Sequence, residues 1–231
     1  MGGGSIFFSL DHNKKSYLSD ANQELITTYI QVRDNASEVI KLLSDFKNTE
    51  EDYYRIRDEF VPQTPVEQAS RFIYLNQTSY NGLYRVNRNG RYNVPYGFRK
   101  NWTYDSDRIL QASIKLKNTR IEAGDFEINK HRIKRHDLVF LDPPYTVSHN
   151  HNGFIEYNRN LFSLEDQNRL NEYIDYIKRK DAYYILTNAA HEAIYHIFDK
   201  AEDRTIHFFL VTSFYLSFFD TKATIFLCNI K

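Results

Sequence analysis

The stretch Asp137–Val147, DLVFLDPPYTV, joins a short apolar run to an acid, two prolines and a tyrosine. The run 137–141 has the length and the branched and aromatic side chains of a buried strand. Pro143 and Pro144 lack backbone N–H donors and fix φ, so the strand must end before them. Asp142 is therefore predicted at the carboxyl end of a strand, where open α/β sheets bind their ligands.

The composition indicates a globular chain with a substantial core. Its 231 residues, 42% hydrophobic and 16% aromatic, allow one large domain or a domain with an insert. Lys and Arg balance Asp and Glu at 30 each, so the net charge by itself indicates no partner. The single cysteine, Cys228, excludes an internal disulfide and a cysteine-based zinc site. Without a membrane-length apolar run or a secretory signal, we expect a cytoplasmic monomer that binds no metal.

Strand and helix patterns alternate near both ends of the chain, which predicts an α/β fold with a mainly parallel sheet. The long middle, 47–112, is helical and loop-like, and we interpret it as an insertion. The predicted strands are KSYL before Asp20, then 119–124, 137–141, 182–188, 205–211 and 223–230. Helices are predicted at 22–46 with a break near Asn35, at 105–117 and near 190–199. Two more helices are predicted to begin after the capping residues Thr64 and Ser163, because Glu67 and Asp166 lie three positions further on.

The Asp142-Pro143-Pro144-Tyr145 motif suits the methylation of an exocyclic amine. The N6 lone pair of adenine is delocalised into the ring and is a poor nucleophile. A carboxylate and the main-chain carbonyl of Pro143, both accepting hydrogen bonds from the amine, would localise that lone pair. Tyr145 offers a face on which an extruded base can stack. The alternative is a strand end with a solvated acid and a proline turn.

This DPPY motif resembles the catalytic motif of amino-group methyltransferases that use S-adenosylmethionine. With its surroundings, nearly the whole chain resembles the DNA adenine-N6 methyltransferase family that modifies GATC sites. The resemblance implies a Rossmann-like sheet with helices on both faces, formed by residues 1–46 and 113–231. It also implies a mostly helical target-recognition domain inserted at 47–112, S-adenosylmethionine as cofactor and double-stranded DNA as partner.

Gly2, Gly3 and Gly4 resemble the family's glycine loop, which lets the backbone approach the cofactor before a helix. A flexible leader would have the same composition. Asp20 follows KSYL about sixteen residues later, where an acid at a strand end accepts hydrogen bonds from ribose hydroxyls. The alternative role for Asp20 is to cap a helix that begins near Ala21, and the two roles are compatible.

The Gly124-Asp125-Phe126 turn follows the predicted strand TRIEA and resembles an Asp-Phe pair of the family. The resemblance implies that Asp125 contacts the adenine amine of the cofactor and that the ring of Phe126 lies beside it. An acidic turn without a ligand is the alternative.

The segment 79–104 has the composition of a DNA-facing loop or hairpin, with aromatics, Asn and Gly interleaved with cations. Cations bind phosphates, Arg can read guanine, and aromatic and Asn side chains can contact displaced bases. A solvated hairpin is the alternative, although no acid lies between Asn81 and Tyr104. The basic residues there are Arg85, Arg88, Arg91, Arg99 and Lys100, and we also assign Asn93 to the DNA-binding set.

The same segment resembles the target-recognition hairpin of GATC methyltransferases. The resemblance implies that Tyr80 and Asn81 enter the duplex and occupy the space left by the flipped adenine. It implies that Arg85 reads guanine and that Leu83 and Pro95 make apolar contacts to thymine.

Two segments depart from the family pattern. The Trp-x-Gly-Gly-Lys motif and the central strand that precede the family's glycine loop are not present, and residues 211–222 are apolar where the family has a polar, basic turn. We therefore expect a family member shortened at its start and altered near its end, with consequences for cofactor affinity. His149 and His151 lack a third ligand nearby and are interpreted as part of a loop over the target base, which Asn158 helps to close.

The sequence therefore predicts a DNA adenine-N6 methyltransferase that transfers a methyl group directly from S-adenosylmethionine, within GATC. An RNA or protein amine methyltransferase is the alternative among enzymes. A non-enzymatic alternative is a shortened remnant that binds DNA but not the cofactor.

Overall fold

The chain folds into two units, one ending at Asp125 and the other beginning at Phe126. The structure, a computed structural model, describes residues 3–10, 15–87, 89–99, 103–144, 162–188 and 192–198. The strands predicted at 205–211 and 223–230 lie outside the described residues. The division predicted at residues 47 and 112 stays a prediction.

The first unit begins with a short helix, a strand and a series of helices. The break predicted near Asn35 is confirmed, since one helix ends there and the next begins. The capping box predicted at Thr64 and Glu67 is confirmed in both directions. The elements are α1 Ser5–Ser9, β1 Ser16–Asp20, α2 Gln23–Asp34, α3 Ala36–Ser44, α4 Glu50–Asp58, α5 Pro65–Thr78, α6 Ser106–Leu116 and β2 Thr119–Ala123.

Strands β1 and β2 pair in parallel, as the alternating pattern predicts. The register places Asp20 opposite Ala123. The N–H of Gly124 continues the pairing by donating to the carbonyl oxygen of Asp20 at 3.0 Å. Both strands therefore end at the same edge, directly before Asp125.

The core of the first unit lies mainly between helices. Tyr29, Leu43, Tyr53 and Tyr74 are among its fully buried side chains. Residues on both sides of position 47 contribute to this one core, and so do aromatic side chains of the segment after α5. The aromatic content of the sequence thus serves packing in this unit as well as any surface role.

The segment after α5 is a hairpin, one of the two structures that the sequence predicts for residues 79–104. Antiparallel bridges join Ser79 to Tyr96 and Val86 to Tyr92. A single 3₁₀ turn, Tyr80–Gly82, opens the hairpin. We call residues 79–97 the recognition hairpin from here on, after the role that the resemblance implies for them.

The second unit is built on a parallel pair of strands covered by a long helix. The helix is capped as predicted, with Ser163 and Asp166 forming a capping box. Leu170, Ile174 and Ile177 of this helix are buried in a core separate from that of the first unit. The elements are a 3₁₀ turn Lys130–Arg132, β3 Leu138–Leu141, α7 Leu164–Arg179, β4 Tyr183–Leu186 and α8 Glu192–Phe198.

The α/β class with short parallel strand pairs is thus confirmed. No helix of the described segments combines the length and apolar character that crossing a membrane requires.

Candidate active site and recognition hairpin

Asp142 lies directly after β3 and is held by the end of the neighbouring strand. Thr187, the residue after β4, donates its backbone N–H to the carbonyl oxygen of Leu141 at 3.0 Å. The Thr187 hydroxyl also donates a short hydrogen bond to Asp142 Oδ1. The carboxylate is exposed, so one oxygen is fixed by the protein while the group stays accessible to solvent.

Thr187 is a residue that the sequence reasoning missed. Because β3 and β4 are parallel, their carboxyl ends meet, and the residue after β4 must lie beside the residue after β3. The signal was present, since the predicted strand AYYILTN ends in two polar residues. Asn188 is fixed in turn by a hydrogen bond from its Nδ2 to Oε1 of the buried Gln167 at 2.9 Å.

The prolines after Asp142 follow the strand as predicted, with Pro143 half-buried and Pro144 exposed. Neither donates a backbone hydrogen bond, so the carbonyl oxygens of this turn are its polar main-chain groups. The other residues predicted near the target base, Tyr145, His149, His151 and Asn158, lie outside the described residues.

Asp20 ends β1, where the sequence places it, and its side chain organises the following turn. Its Oδ1 accepts a hydrogen bond from the N–H of Asn22 at 2.9 Å. The alternative role of Asp20 as the cap of the next helix is wrong. Asn22 is the cap of α2, because its side chain accepts from the N–H of Leu25 at 3.1 Å.

The predicted Asp125–Phe126 pair falls at the junction of the two units. Asp125 is exposed, one residue beyond the main-chain hydrogen bond that closes the β1–β2 edge. Phe126 is half-buried in the second unit, with its ring centroid 5.9 Å from that of Phe162 and 5.7 Å from that of Tyr173. The guanidinium of Arg169 lies 5.0 Å from the ring centroid of Phe126.

Gly4 lies immediately before α1 in a left-handed conformation, with φ 68°. A Cβ added there would lie 2.8 Å from the hydroxyl oxygen of Tyr29, so the position requires glycine for space as well as for conformation. Gly3 lies in the preceding turn, and Gly2 lies outside the described residues. The sequence therefore predicts correctly that a glycine turn, a helix, a strand and Asp20 follow one another.

Tyr29 of α2 lies between Gly4 and Asp20 and is a second residue that the sequence reasoning missed. Its side chain is fully buried. Burial, and then the negative charge of nearby Asp20, raise the pKa of the Tyr29 hydroxyl above its ordinary range. The hydroxyl therefore stays protonated beneath the glycine turn.

The first turn of the recognition hairpin is exposed but conformationally specified. Asn81 and Gly82 both adopt positive φ, at 54° and 62°. Tyr80 is 53% exposed and Leu83 is 39% exposed, so an aromatic and an apolar side chain project from this turn.

Buried polar side chains fix the main chain of this turn from below. Asn76 Nδ2 donates to the carbonyl oxygen of Gly82 at 3.0 Å. The hydroxyl of Tyr92 donates to the carbonyl oxygen of Leu83 at 2.6 Å. Asn76 and Tyr92 are both more than nine-tenths buried. The turn is therefore anchored to the helix that precedes it and to the returning strand.

The two arms of the hairpin pack against each other without room for a side chain at Gly97. A Cβ at this position would lie 2.4 Å from the carbonyl oxygen of Ser79. The N–H of Gly97 donates to the carbonyl oxygen of Thr78 at 2.8 Å. The N–H of Tyr80 donates to the carbonyl oxygen of Pro95 at 2.9 Å.

Arg85 and Asn93, both assigned to DNA from the sequence, contact each other across the hairpin. Arg85 Nε donates to Asn93 Oδ1 at 2.8 Å, and Nη2 donates to the Asn93 carbonyl oxygen at 3.2 Å. The guanidinium is exposed and oriented by these two bonds. Arg91 and Pro95 are also exposed. Arg88 and Lys100 lie outside the described residues.

Buried tyrosines of the first unit bind main-chain carbonyl oxygens, one of them in the hairpin. The Tyr53 hydroxyl donates to the carbonyl oxygen of Val94 at 2.7 Å, and that of Tyr74 donates to the carbonyl oxygen of Lys47 at 2.7 Å. Burial is the main cause that raises the pKa of both hydroxyls above their ordinary range. Burial also raises the pKa of Tyr92 to about 12.

Within the segments that the structure describes, no group of three or more His, Cys, Asp or Glu side chains could hold a metal ion.

Comparison with known proteins places this arrangement in a family. The family described as D12 class N6 adenine-specific DNA methyltransferase matches residues 1–208. Type II methyltransferase M.MjaIII of Methanocaldococcus jannaschii is 34% identical, over 82% of this chain and 71% of its own length. Type II methyltransferase M1.LlaDCHI of Lactococcus lactis subsp. cremoris is 35% identical, over 82% and 70%. DNA adenine methylase of Escherichia coli K12 is 32% identical, over 74% and 63%.

The chain therefore belongs to the D12 class of N6 adenine-specific DNA methyltransferases, a family of site-specific enzymes that act on DNA. The adenine-N6 DNA methyltransferase family predicted from the DPPY motif is confirmed. S-adenosylmethionine dependence is a general property of this class of enzyme.

Proposed function

We propose that this chain transfers a methyl group from S-adenosylmethionine to N6 of an adenine flipped out of duplex DNA, within GATC. The observation that carries the proposal is the Asp142 carboxylate, fixed by Thr187 at the carboxyl end of β3 and followed by two prolines. The relatives named DNA adenine methylase support adenine as the target.

Asp142 and Pro143 would activate the amine. With Oδ1 engaged by Thr187, the second carboxylate oxygen of Asp142 can accept one N–H of the adenine amine. The carbonyl oxygen of Pro143 can accept the other. Two acceptors fixed before the substrate arrives localise the nitrogen lone pair without reorganisation during the reaction. Tyr145 remains the residue we expect to stack on the flipped base.

The edge formed by β1 and β2 suits the cofactor. Asp20 can accept from ribose hydroxyls and Asp125 from an adenine amine, and the absence of side chains at Gly3 and Gly4 allows close backbone approach. When bound, S-adenosylmethionine supplies an electrophilic methyl group on a sulfonium. We keep Gly2 and Phe126 in the proposed cofactor set, although the ring of Phe126 also packs in the second unit.

The recognition hairpin would open the duplex and read its sequence. We propose that Tyr80 and Asn81 occupy the space left by the adenine and that Leu83 and Pro95 contact thymine. The exposed and oriented guanidinium of Arg85 suits bidentate recognition of guanine. Arg88, Arg91 and Asn93 would contribute further contacts to the DNA.

The proposal is tested by incubating the chain with S-adenosylmethionine and DNA that contains GATC, then cutting with a nuclease that methylation at GATC blocks. Protection of the DNA is the expected result. Digestion as complete as in a reaction without protein contradicts the proposal. If the DNA is digested, calorimetry with S-adenosylmethionine identifies the reason for the missing activity. A chain that still binds GATC but not the cofactor is the shortened, non-enzymatic remnant.

The assignment of Arg85 is tested by Arg85→Ala. Loss of a bidentate contact to guanine should relax discrimination at that base by about 1–3 kcal/mol. Arg55→Ala is the matched control, since Arg55 is an exposed arginine that pairs with Asp52 on α4. Uniform weakening on all sequences would make Arg85 a phosphate contact instead.

A further inference from the structure

The second unit carries a basic surface that none of the roles above explains. Two segments, 130–136 and 178–180, form it, and we use the name basic surface for these residues. Their seven Lys and Arg residues exceed the four nearby carboxylates, whereas the whole chain has a formal net charge of zero. The cations are Lys130, Arg132, Lys134, Arg135, Lys178, Arg179 and Lys180, and the carboxylates are Glu127, Asp137, Asp175 and Asp181.

The fold brings the two segments together at the amino ends of β3 and β4. The N–H of His136 donates to the carbonyl oxygen of Asp181 at 2.9 Å. The N–H of Tyr183 donates to the carbonyl oxygen of Asp137 at 2.8 Å. Because these bonds extend the parallel pairing of β3 and β4, the two segments form one continuous surface.

Three cations of the basic surface surround the ring of Tyr176 on α7. Lys130 Nζ lies 5.1 Å, Lys180 Nζ 5.4 Å and Arg179 Cζ 6.0 Å from the ring centroid. The ring attracts each cation, but the cations repel one another. A bound anion would relieve this repulsion.

The nearby carboxylates neutralise only part of the basic surface, since Lys130 pairs with Glu127 and Arg135 pairs with Asp181. Glu127 is engaged by Lys130 and Arg169. Asp137 accepts a hydrogen bond from the backbone N–H of Lys134. Within the described part of the chain, the exposed side chains of Lys134, Arg179 and Lys180 form no ion pair. These charges are therefore free to bind an external anion.

The position of the basic surface separates it from the proposed methyl-transfer end of β3. Lys134 precedes the strand and Asp142 follows it, so the two residues lie at opposite ends of Leu138–Leu141. Four strand residues span about 13 Å. An anion bound at the basic surface therefore lies away from the adenine that we propose to bind at Asp142.

We propose that the basic surface binds phosphates of duplex DNA outside the base pairs that the recognition hairpin reads. The proposal rests on the proposed function in that DNA is the substrate. A row of phosphates is the anion that suits several exposed cations spread over two segments. Binding here adds affinity without sequence preference, since phosphate contacts position a protein and carry no base information.

The test measures the affinity of the full chain for a long duplex without GATC as a function of salt concentration. The variant carries Lys134→Gln, Arg179→Gln and Lys180→Gln. Each phosphate contact contributes about 0.9 to the slope of log affinity against log salt, so the slope should fall in magnitude by up to about 2.7. The control carries Lys41→Gln, Lys117→Gln and Arg120→Gln, three exposed cations of the first unit whose removal changes the net charge equally.

A slope unchanged from the wild type overturns the proposal, and so does an equal fall in the control, which would be an effect of net charge. Tighter binding of polyglutamate than of DNA by the wild type also overturns it, because the surface would then suit an acidic protein. Methyl transfer to GATC at low salt, measured on the same preparations, tests the proposed function separately. We expect the variant to retain it.

Discussion

The carboxamide of Asn76 donates a hydrogen bond to the carbonyl oxygen of Gly82 at 3.0 Å, across the base of the recognition hairpin. Among the described residues, the Asn76 Oδ1 atom is buried without a partner. The Oδ1 atom therefore does not account for an asparagine here, since a buried polar atom without a partner costs about 1–3 kcal/mol. The amide instead fixes a turn in which Asn81 and Gly82 both have positive φ.

We expect Asn76→Ala to weaken base flipping more than it weakens folding. The variant loses the bond to Gly82, so the turn that carries Tyr80 is no longer anchored to α5. The free energy of unfolding should fall by about 1–3 kcal/mol. Fluorescence of 2-aminopurine at the target position should rise less on binding than with the wild type.

Asn171→Ala is the matched control for Asn76→Ala, because Asn171 on α7 also has a buried Oδ1 without a partner among the described residues. We expect normal base flipping in this variant, because Asn171 belongs to α7, whereas the hairpin turn is fixed by Asn76 of α5. Equal flipping by the Asn76 variant and the wild type would make Asn76 a structural residue alone.

Gly4→Ala should weaken cofactor binding through a defined collision. The added Cβ would lie 2.8 Å from the Tyr29 hydroxyl oxygen, at a φ of 68° that costs an alanine about 1–2 kcal/mol. The KM for S-adenosylmethionine should rise by about tenfold. Adding Tyr29→Phe removes the oxygen and should restore part of the loss.

Gly90→Ala is the control for the backbone strain that Gly4→Ala introduces. Gly90 also has a positive φ, 73°, but has open space around it. Its KM for the cofactor should match the wild type. A Gly4→Ala variant with a normal KM would remove the glycine turn from the cofactor site.

Thr187→Val should slow methyl transfer while leaving binding intact. The valine has a similar shape but cannot donate to Asp142, so the carboxylate loses its orientation. We expect the single-turnover rate to fall about tenfold, which corresponds to about 1.4 kcal/mol. Thr187→Ser retains the hydroxyl and should keep most of the rate. A rate that Thr187→Val keeps while Thr187→Ser loses it would mean that the methyl group, rather than the hydroxyl, matters.

Alkaline pH should destabilise the first unit through its buried tyrosines. Burial raises the pKa of Tyr92 from its ordinary value of about 10 to about 12. Below the ordinary pKa, the Tyr92 hydroxyl is protonated in both the folded and the unfolded state. As the pH rises above it, the unfolded state loses this proton first. The contribution of Tyr92 to the free energy of unfolding is therefore fully present below pH ~10. It is lost progressively between pH ~10 and pH ~12, a change of about 2–3 kcal/mol.

The measurement is the denaturation midpoint against pH for the wild type and Tyr92→Phe. The variant lacks the titrating group, so its midpoint should fall less steeply over that interval. Parallel curves would show that Tyr92 does not titrate differently in the folded state.

Local features of this fold were predictable from the sequence because neighbouring residues create them. The capping boxes at Thr64 and Ser163 are complete within four residues, and Asn35 interrupts two helices where it was expected to. The same holds for Asp142, because adjacent prolines force the strand to end.

The contacts that support the site join residues distant in sequence, so they follow from how strands and helices pack rather than from local pattern. Thr187 lies 45 positions from Asp142, and Tyr29 reaches Gly4 only because α2 packs near the glycine turn. The alternative role of Asp20 as a helix cap failed for a local reason. Asn22 is two residues further on and is itself a favourable cap.

The most direct test of the central claim is methyl transfer by Asp142→Ala beside the wild type, on a duplex with one GATC site and S-adenosylmethionine labelled in its methyl group. We predict label in N6-methyladenine of the wild-type product, and none with the variant although the variant still binds the duplex. Label transferred equally by the variant, or found on a base other than adenine, would contradict the account.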